Sequence, residues 1–239
     1  MSGASVELRE VGFQYRDAAG ALDMSFDLSV PAGSVLAVIG PSGAGKSTLL
    51  SLLAGFDRPT SGQVFIAGKD VTAIEPADRP VSMLFQDHNL FGHLDVWSNV
   101  ALGVSPRLQL NGEQRARTAA ALERVGLAGL ERRLPGQISG GERQRAALAR
   151  VLVRDRPVLL LDEPFAALGP AMRSEMLGLL RDLHRETAVT ILMVTHSPDD
   201  AKAAANLTAF VDAGRIVAIS PTKELFAARD IPELTAYLG

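Results

Sequence analysis

The chain of 239 residues is 47% hydrophobic and carries a net charge of −3. Such a composition can fill the core of one large domain or two small ones, and it excludes a disordered protein. The slight acidity and the 5% aromatic content argue against a nucleic-acid partner, which needs a basic surface and stacking rings.

The sequence contains no cysteine, which excludes disulfides and thiolate chemistry and agrees with a reducing compartment. The N-terminus lacks the basic and apolar regions of a secretory signal. No window approaches the roughly 18 apolar residues that a membrane-spanning helix needs. We therefore expect a chain that does not cross a membrane by itself.

Hydrophobic periodicity predicts antiparallel strands over 6–15 and 26–30, followed by a buried strand over 35–39, a glycine-rich loop and a helix over 47–54. Residues 89–154 have a helical pattern, in which Asn111 and Gln114 resemble a capping box. Strands and helices then alternate, as in a parallel α/β sheet. The remaining predicted strands are 63–66, 81–85, 158–162, 190–195, 207–212 and 215–219, and the remaining predicted helices are 170–186 and 198–205.

The segment between the strand 35–39 and the following helix fits the phosphate-loop pattern G-x-x-x-x-G-K-[ST]. Its glycines let backbone N–H groups converge on phosphate oxygens, and the helix N-terminus adds partial positive charge. Lys46 would contact the β and γ phosphates, and the Ser47 hydroxyl would bind Mg²⁺. The predicted nucleotide-binding residues here are Gly40, Pro41, Ser42, Gly43, Ala44, Gly45, Lys46, Ser47 and Thr48.

Two carboxylates, Asp162 and Glu163, follow four apolar residues at the end of a predicted strand. Open α/β sheets bind their ligands at this edge. The pattern is that of a Walker B motif, in which Asp162 would hold Mg²⁺ through the second coordination shell and Glu163 would orient and polarise the attacking water.

The segment Ile138-Ser139-Gly140-Gly141-Glu142, which shortly precedes these carboxylates, resembles the signature motif of ABC transporter ATPases. As a helix start it offers a second anion site in the same chain. In that family two subunits pair head to tail, so the resemblance implies a second copy of the chain or a homologue. The signature residues Ser139, Gly140, Gly141 and Glu142 would then contact the ATP of the partner.

The same resemblance, which covers essentially the whole chain, implies roles for three further residues. Tyr15 would stack on adenine, although it equally suits strand packing. Gln86 would reach Mg²⁺ and the attacking water, and His196, at the end of the predicted strand 190–195, would act as the switch histidine. The implied fold is α/β, a P-loop NTPase (RecA-like) core at about 1–88 and 155–220. An N-terminal antiparallel β subdomain, an inserted helical subdomain at about 89–154 and a short tail at 221–239 complete a single domain.

Two positions depart from the family pattern. Glu142 replaces the usual glutamine and adds a negative charge close to the expected position of the partner's nucleotide. Gly169 replaces the aspartate of the D-loop, which helps the two ATP sites to communicate. We expect ATP hydrolysis that is slower or less cooperative than usual.

The segments 79–94 and 99–108 resemble the ATP-binding subunits of bacterial thiamine importers. This resemblance implies thiamine as cargo, a separate transmembrane permease, an indirect link to a periplasmic thiamine-binding protein, and a place at the cytoplasmic face of the inner membrane. No residue is expected to contact thiamine itself. The alternatives are an importer subunit for another small solute such as a polyamine or an organophosphonate, a soluble ABC ATPase acting on DNA or ribosomes, and a P-loop kinase or GTPase.

Overall fold

The computed structural model describes residues 3–17, 20–85, 90–166 and 168–239, without the side chains of residues 15–17 and 20–22. The described residues form ten strands and eight α-helices. The strands are β1 (Val6–Asp17), β2 (Gly20–Val30), β3 (Val35–Ile39), β4 (Ser61–Ile66), β5 (Lys69–Asp70), β6 (Val81–Leu84), β7 (Val158–Asp162), β8 (Thr190–Val194), β9 (Leu207–Asp212) and β10 (Arg215–Pro221). The helices are α1 (Lys46–Ala54), α2 (Val96–Ala101), α3 (Gly112–Arg124), α4 (Gly140–Leu152), α5 (Pro170–Thr187), α6 (Pro198–Ala204), α7 (Thr222–Ala227) and α8 (Pro232–Leu238).

All ten strands belong to one mixed sheet in the order β5-β4-β1-β2-β10-β9-β3-β8-β7-β6. The N-terminal strands pair antiparallel, while β9, β3, β8, β7 and β6 run parallel to one another. β3, β7 and β8 are buried along their whole length, as expected for parallel strands that are covered on both faces. Their carboxyl ends lie at one edge of the sheet, where open α/β sheets place their ligands.

Two apolar layers cover the parallel strands. α1 packs on one face with the N-terminal strands, and α2, α3, α4 and α5 pack on the other. A smaller cluster joins β3 and β9 to the C-terminal helices α7 and α8. The C-terminal helices therefore lie against the strand that leads into the glycine-rich loop.

The predicted α/β fold is confirmed, and most predicted elements agree with the structure to within a few residues. The capping box at Asn111 and Gln114 forms as expected. Sequence patterns did not indicate the two-residue β5 or the helical structure of the tail, because short elements carry too few residues to show a period. Among the described residues, no helix has the length and apolar character needed to span a bilayer.

A candidate nucleotide site at the ends of the central strands

The glycine-rich loop leaves β3 through Gly40, whose φ is +148°. A Cβ at this position would lie 1.9 Å from the carbonyl oxygen of Val211, so the close approach of β9 requires glycine. Gly43 also has a positive φ, +77°, with open space where a Cβ would project. Gly45 precedes α1, and within the described chain no side chain caps the first turn of that helix. Its N–H groups are therefore available to a phosphate.

Lys46 is buried, and its ammonium group donates to the carbonyl oxygens of Gly40 at 2.9 Å and Pro41 at 2.7 Å. Burial lowers the pKa of this lysine, and the negative charges of Glu163 and Asp162 act in the opposite direction. The side chain thus curls over its own loop. A γ-phosphate is a stronger acceptor than either carbonyl group, which fits the role predicted for Lys46.

Ser47 and Asp162 meet although 115 positions separate them in the chain: the serine hydroxyl donates to Asp162 Oδ1 at 3.1 Å. Burial raises the pKa of Asp162, and the hydrogen bond from Ser47 acts in the opposite direction. Within the described residues, no group of three or more His, Cys, Asp or Glu side chains could hold a metal. One hydroxyl and one carboxylate nevertheless fit Mg²⁺, which takes few protein ligands and completes its shell with water and substrate phosphates.

Glu163 and His196 lie side by side because β7 and β8 are neighbours. Asp162 pairs with Val194 in the parallel ladder, and the N–H of Glu163 donates to the Val194 carbonyl at 3.1 Å. The chain therefore leaves both strands at the same level, and His196 Nε2 pairs with Glu163 Oε1. Glu163 has a φ of +45°, a left-handed conformation that is costly for a residue with a side chain and is frequent at functional sites.

A buried polar network supports the turn that carries His196. Thr195 Oγ1 donates to Asp200 at 3.1 Å and accepts from the N–H of Ser197 at 3.0 Å. Arg173, on α5, forms an ion pair with the other oxygen of Asp200. Sequence patterns did not single out Arg173 or Asp200, since charged residues on helices are usually solvated.

The signature residues lie at the start of α4. Ser139 is the N-cap of this helix; its hydroxyl accepts from the N–H of Glu142 at 3.3 Å, and the Glu142 carboxylate accepts from the N–H of Ser139 at 2.6 Å. This backbone hydrogen bond holds the pKa of Glu142 below its usual value. Gly141 packs so closely on α5 that a Cβ would lie 2.5 Å from Met172. In the part of the chain that the structure describes, no hydrogen bond or ion pair joins residues 139–142 to residues 40–48.

The structure thus brings Lys46, Ser47, Asp162, Glu163 and His196 together and leaves the signature segment apart from them. The side chain of Tyr15 and the whole of Gln86 lie outside the described residues. Gly169 is exposed at the N-cap of α5, with open space around the position of a Cβ.

The phosphate loop, the signature segment, the two carboxylates after β7 and the histidine after β8 follow one another in the chain. This order, on one mixed sheet, defines the class of ATP-binding cassettes, which are P-loop proteins that hydrolyse ATP. Residues 24–166 match the sequence model of the ABC transporter family. The chain belongs to this family.

The chain is similar over nearly its full length to proteins named thiamine import ATP-binding protein ThiQ. The protein from Chelativorans sp. is 54% identical over 99% of this chain and 95% of the relative. The protein from Brucella suis is 53% identical over 100% of this chain and 97% of the relative, and the one from Rhizobium meliloti is 54% identical over 90% and 91%.

Among solved structures, the chain is similar to the ATP-binding cassette MJ0796, seen as a dimer in a post-hydrolysis state bound to ADP and Pi. The TM-score is 0.81 at 28% identity, over 91% of this chain and 98% of the other. A second dimeric structure of that bacterial transporter cassette gives the same values. The prediction of the cassette family from the motifs alone is confirmed.

Proposed function

We propose that this chain is the ATP-hydrolysing subunit of a bacterial thiamine importer. The observation that carries the proposal is the similarity to thiamine import subunits at 54% identity over 99% of the chain. The arrangement of Lys46, Ser47, Asp162, Glu163 and His196 at one sheet edge supplies the chemistry that ATP hydrolysis needs.

ATP binds with its phosphates against the loop 40–45 and the N-terminus of α1. Lys46 exchanges the carbonyl groups of Gly40 and Pro41 for the β and γ phosphates, so no buried cation is left without an acceptor. Tyr15, on β1, supports the adenine ring by stacking.

Ser47, Gln86 and Asp162 would hold Mg²⁺ at this edge of the sheet. The metal, when bound, neutralises charge that develops on the phosphate oxygens. The hydrogen bond of Ser47 to Asp162 sets the two oxygens on the same side of the site.

Glu163 orients the attacking water and accepts its proton. Its carboxylate is partly buried and pairs with His196, which fixes its direction. Phosphoryl transfer requires little covalent chemistry from the protein, so this positioning is the main contribution of the two residues.

Turnover requires a head-to-tail dimer with a second copy of the chain. Within one chain the signature segment is not bonded to the loop 40–48, and the capped start of α4 is exposed at Gly140. A second subunit would place its Ser139, Gly140 and Gly141 over the γ-phosphate. The Glu142 carboxylate, folded back onto the N–H of Ser139, faces the start of its own helix in this arrangement.

An exposed aromatic pair, Phe56 and Phe85, is the surface we assign to the permease. These side chains are 55% and 37% exposed, and their ring centroids lie 5.4 Å apart. Phe85 directly precedes Gln86, so a permease helix seated here would act on the ligand of the catalytic metal. Neighbouring exposed rings are typical of protein interfaces.

Through its contact with the permease the chain would lie at the cytoplasmic face of the inner membrane. A periplasmic binding protein would deliver thiamine to the permease from the opposite side of the membrane.

The test is uptake of radiolabelled thiamine by the source cell with and without the gene, complemented by the intact chain or by Glu163→Gln. The matched control is Glu113→Gln, at the exposed start of α3. We expect the intact chain and the control to restore uptake and Glu163→Gln to fail. Unchanged thiamine uptake in the deletion strain would contradict the cargo, and restoration by Glu163→Gln would contradict the role of hydrolysis.

A further inference from the structure

The C-terminal helix α8 reaches the catalytic edge of the sheet. Leu234 of this helix is fully buried in the cluster that contains Ala37 and Ile39 of β3. The ring of Tyr237 packs on Phe210, with ring centroids 5.6 Å apart. Phe210 pairs with Ile39, the residue immediately before the phosphate loop.

The hydroxyl of Tyr237 contacts the backbone of both parts of the site. It donates to the carbonyl oxygen of His196 at 3.3 Å. Burial, the larger effect, raises the pKa of the phenol, while the backbone of Gly40 lies near enough to lower it. A phenol is protonated at neutral pH, and the raised pKa keeps it so, which leaves the hydroxyl a donor.

We propose that Tyr237 is a positioning residue for ATP hydrolysis, which holds the backbone of His196, and through it the imidazole against Glu163, at a fixed distance from the phosphate loop. The inference rests on the proposed ATPase function and adds to it a role for the C-terminal segment.

The physical reason is that the imidazole of His196 is 44% exposed and bonds to one carboxylate. A half-exposed side chain on a loop stays in one orientation only if its backbone is held. The buried hydrogen bonds of Thr195 to Asp200 and to the N–H of Ser197 fix this backbone on the core side. The Tyr237 hydroxyl, on the C-terminal helix, fixes the carbonyl group of His196. Loss of the hydroxyl should therefore affect the chemical step more than the binding of ATP.

The experiment compares the steady-state ATPase activity of the full chain with that of Tyr237→Phe, which keeps the ring and removes the hydroxyl. We expect kcat to fall by about threefold to tenfold, the effect of one hydrogen bond, with KM for ATP changed by less than about twofold. The matched control is Thr235→Ala on the same helix, whose hydroxyl donates to the carbonyl oxygen of Ile231 in the preceding turn. This control should retain the activity of the intact chain.

To separate a general effect on the fold from an effect exerted through His196, Tyr237→Phe is repeated in the His196→Ala background. Single-turnover phosphate release measures the slow rates. If the hydroxyl acts through His196, adding Tyr237→Phe to His196→Ala causes no further loss of the hydrolysis rate. An equal loss in both backgrounds, a change in KM alone, or no loss in the intact background would overturn the proposal. An intact chain that hydrolyses no ATP would overturn the proposed function as well.

Discussion

Arg173 Nε lies 3.3 Å from Asp200 Oδ1, and this ion pair joins α5, which follows the carboxylates of β7, to α6, which follows His196. Asp200 is almost completely buried, and Thr195 also donates to it. The pair therefore fixes the relative position of two segments that carry the predicted water-orienting residues.

Replacement of Arg173 with methionine should destabilise the protein in a pH-dependent manner. Burial raises the pKa of Asp200, and Arg173 opposes this shift more than Thr195 and Ser197 do, while Asp199 increases it. The pKa of folded Asp200 already lies above that of the unfolded chain, and loss of Arg173 would raise it further, so the variant loses stability relative to the intact protein as the pH rises. We expect a loss of about 1 to 3 kcal/mol at pH 8 and a smaller loss at pH 5.

Thermal unfolding at both pH values measures this difference. The control is Arg185→Met, whose ion pair with Asp182 is largely exposed and should contribute less than about 0.5 kcal/mol. Equal losses at pH 5 and pH 8 would contradict the assignment of a buried, paired carboxylate.

Arg79 holds the end of the phosphate-loop helix. Its guanidinium is fully buried and donates to the carbonyl groups of Leu52 and Leu53 in α1 and of Thr72 and Ile74 in the loop before β6. Arg79→Met would leave these buried acceptors without a donor, which should cost about 3 kcal/mol or more. In a chain of this size the melting temperature would fall by roughly 6 to 12 °C.

The matched control is Arg58→Met, whose ion pair with Glu75 is exposed. Thermal unfolding should leave this variant within about 0.5 kcal/mol of the intact protein. A melting temperature for Arg79→Met that equals the control would show that water replaces the guanidinium and that the four bonds contribute little.

The sequence was sufficient to predict which residues meet at the ends of the central strands, because its motifs combine residue type with position at a strand end. The loop 40–47, Asp162 and Glu163 each follow an apolar run that forms a buried strand, so their convergence follows from the parallel order. The sequence did not predict the structural roles of Arg79, Arg173 and Asp200, because these roles depend on burial of the charged group in the folded protein. A charged residue on a helix or in a loop has the same local pattern whether it is solvated or enclosed.

The contacts of the C-terminal tail also could not be predicted from local sequence patterns. Residues 221–239 were predicted as a short appendage, and the helices α7 and α8 pack on β3 and β9 through a few apolar side chains. Tyr237 reaches His196 across 41 positions. No local periodicity indicates such a contact, since it depends on where the tail folds back.

The exposed aromatic pair of Phe56 and Phe85 should be needed for transport but not for stability. Phe56→Ser removes a ring that is 55% exposed, so we expect a stability change below about 0.5 kcal/mol. Thiamine uptake should be lost while the ATPase activity of the isolated chain is kept. The control is Ile219→Ser, an exposed apolar residue on β10. Normal uptake with Phe56→Ser would place the permease on another surface.

Glu163→Gln should bind ATP normally and accumulate as a dimer. The amide keeps the size of the side chain but cannot accept the proton of the water, so turnover should fall by at least about 100-fold. Gel filtration with Mg-ATP would detect the dimer, and phosphate release would measure turnover. Lys46→Ala is the comparison, since it should lose ATP binding and stay monomeric. Rapid hydrolysis by Glu163→Gln would contradict the role assigned to this carboxylate.

Gly169→Asp should restore the carboxylate that the D-loop lacks. Gly169 has φ −66° and ψ 161°, which any residue adopts, and open space surrounds the position of a Cβ. As the N-cap of α5, aspartate should also stabilise the helix by a few tenths of a kcal/mol, roughly the difference between glycine and a capping side chain. We expect a higher ATPase rate and a higher Hill coefficient for ATP.

Gly169→Asn separates the two effects, because asparagine caps a helix as well as aspartate does but carries no charge. Both variants should gain the same stability, measured by thermal unfolding, and the aspartate variant alone should gain rate and cooperativity. If the two variants hydrolyse ATP alike, the gain belongs to helix capping. If neither differs from the intact chain in rate or Hill coefficient, Gly169 does not limit the coupling of the two sites.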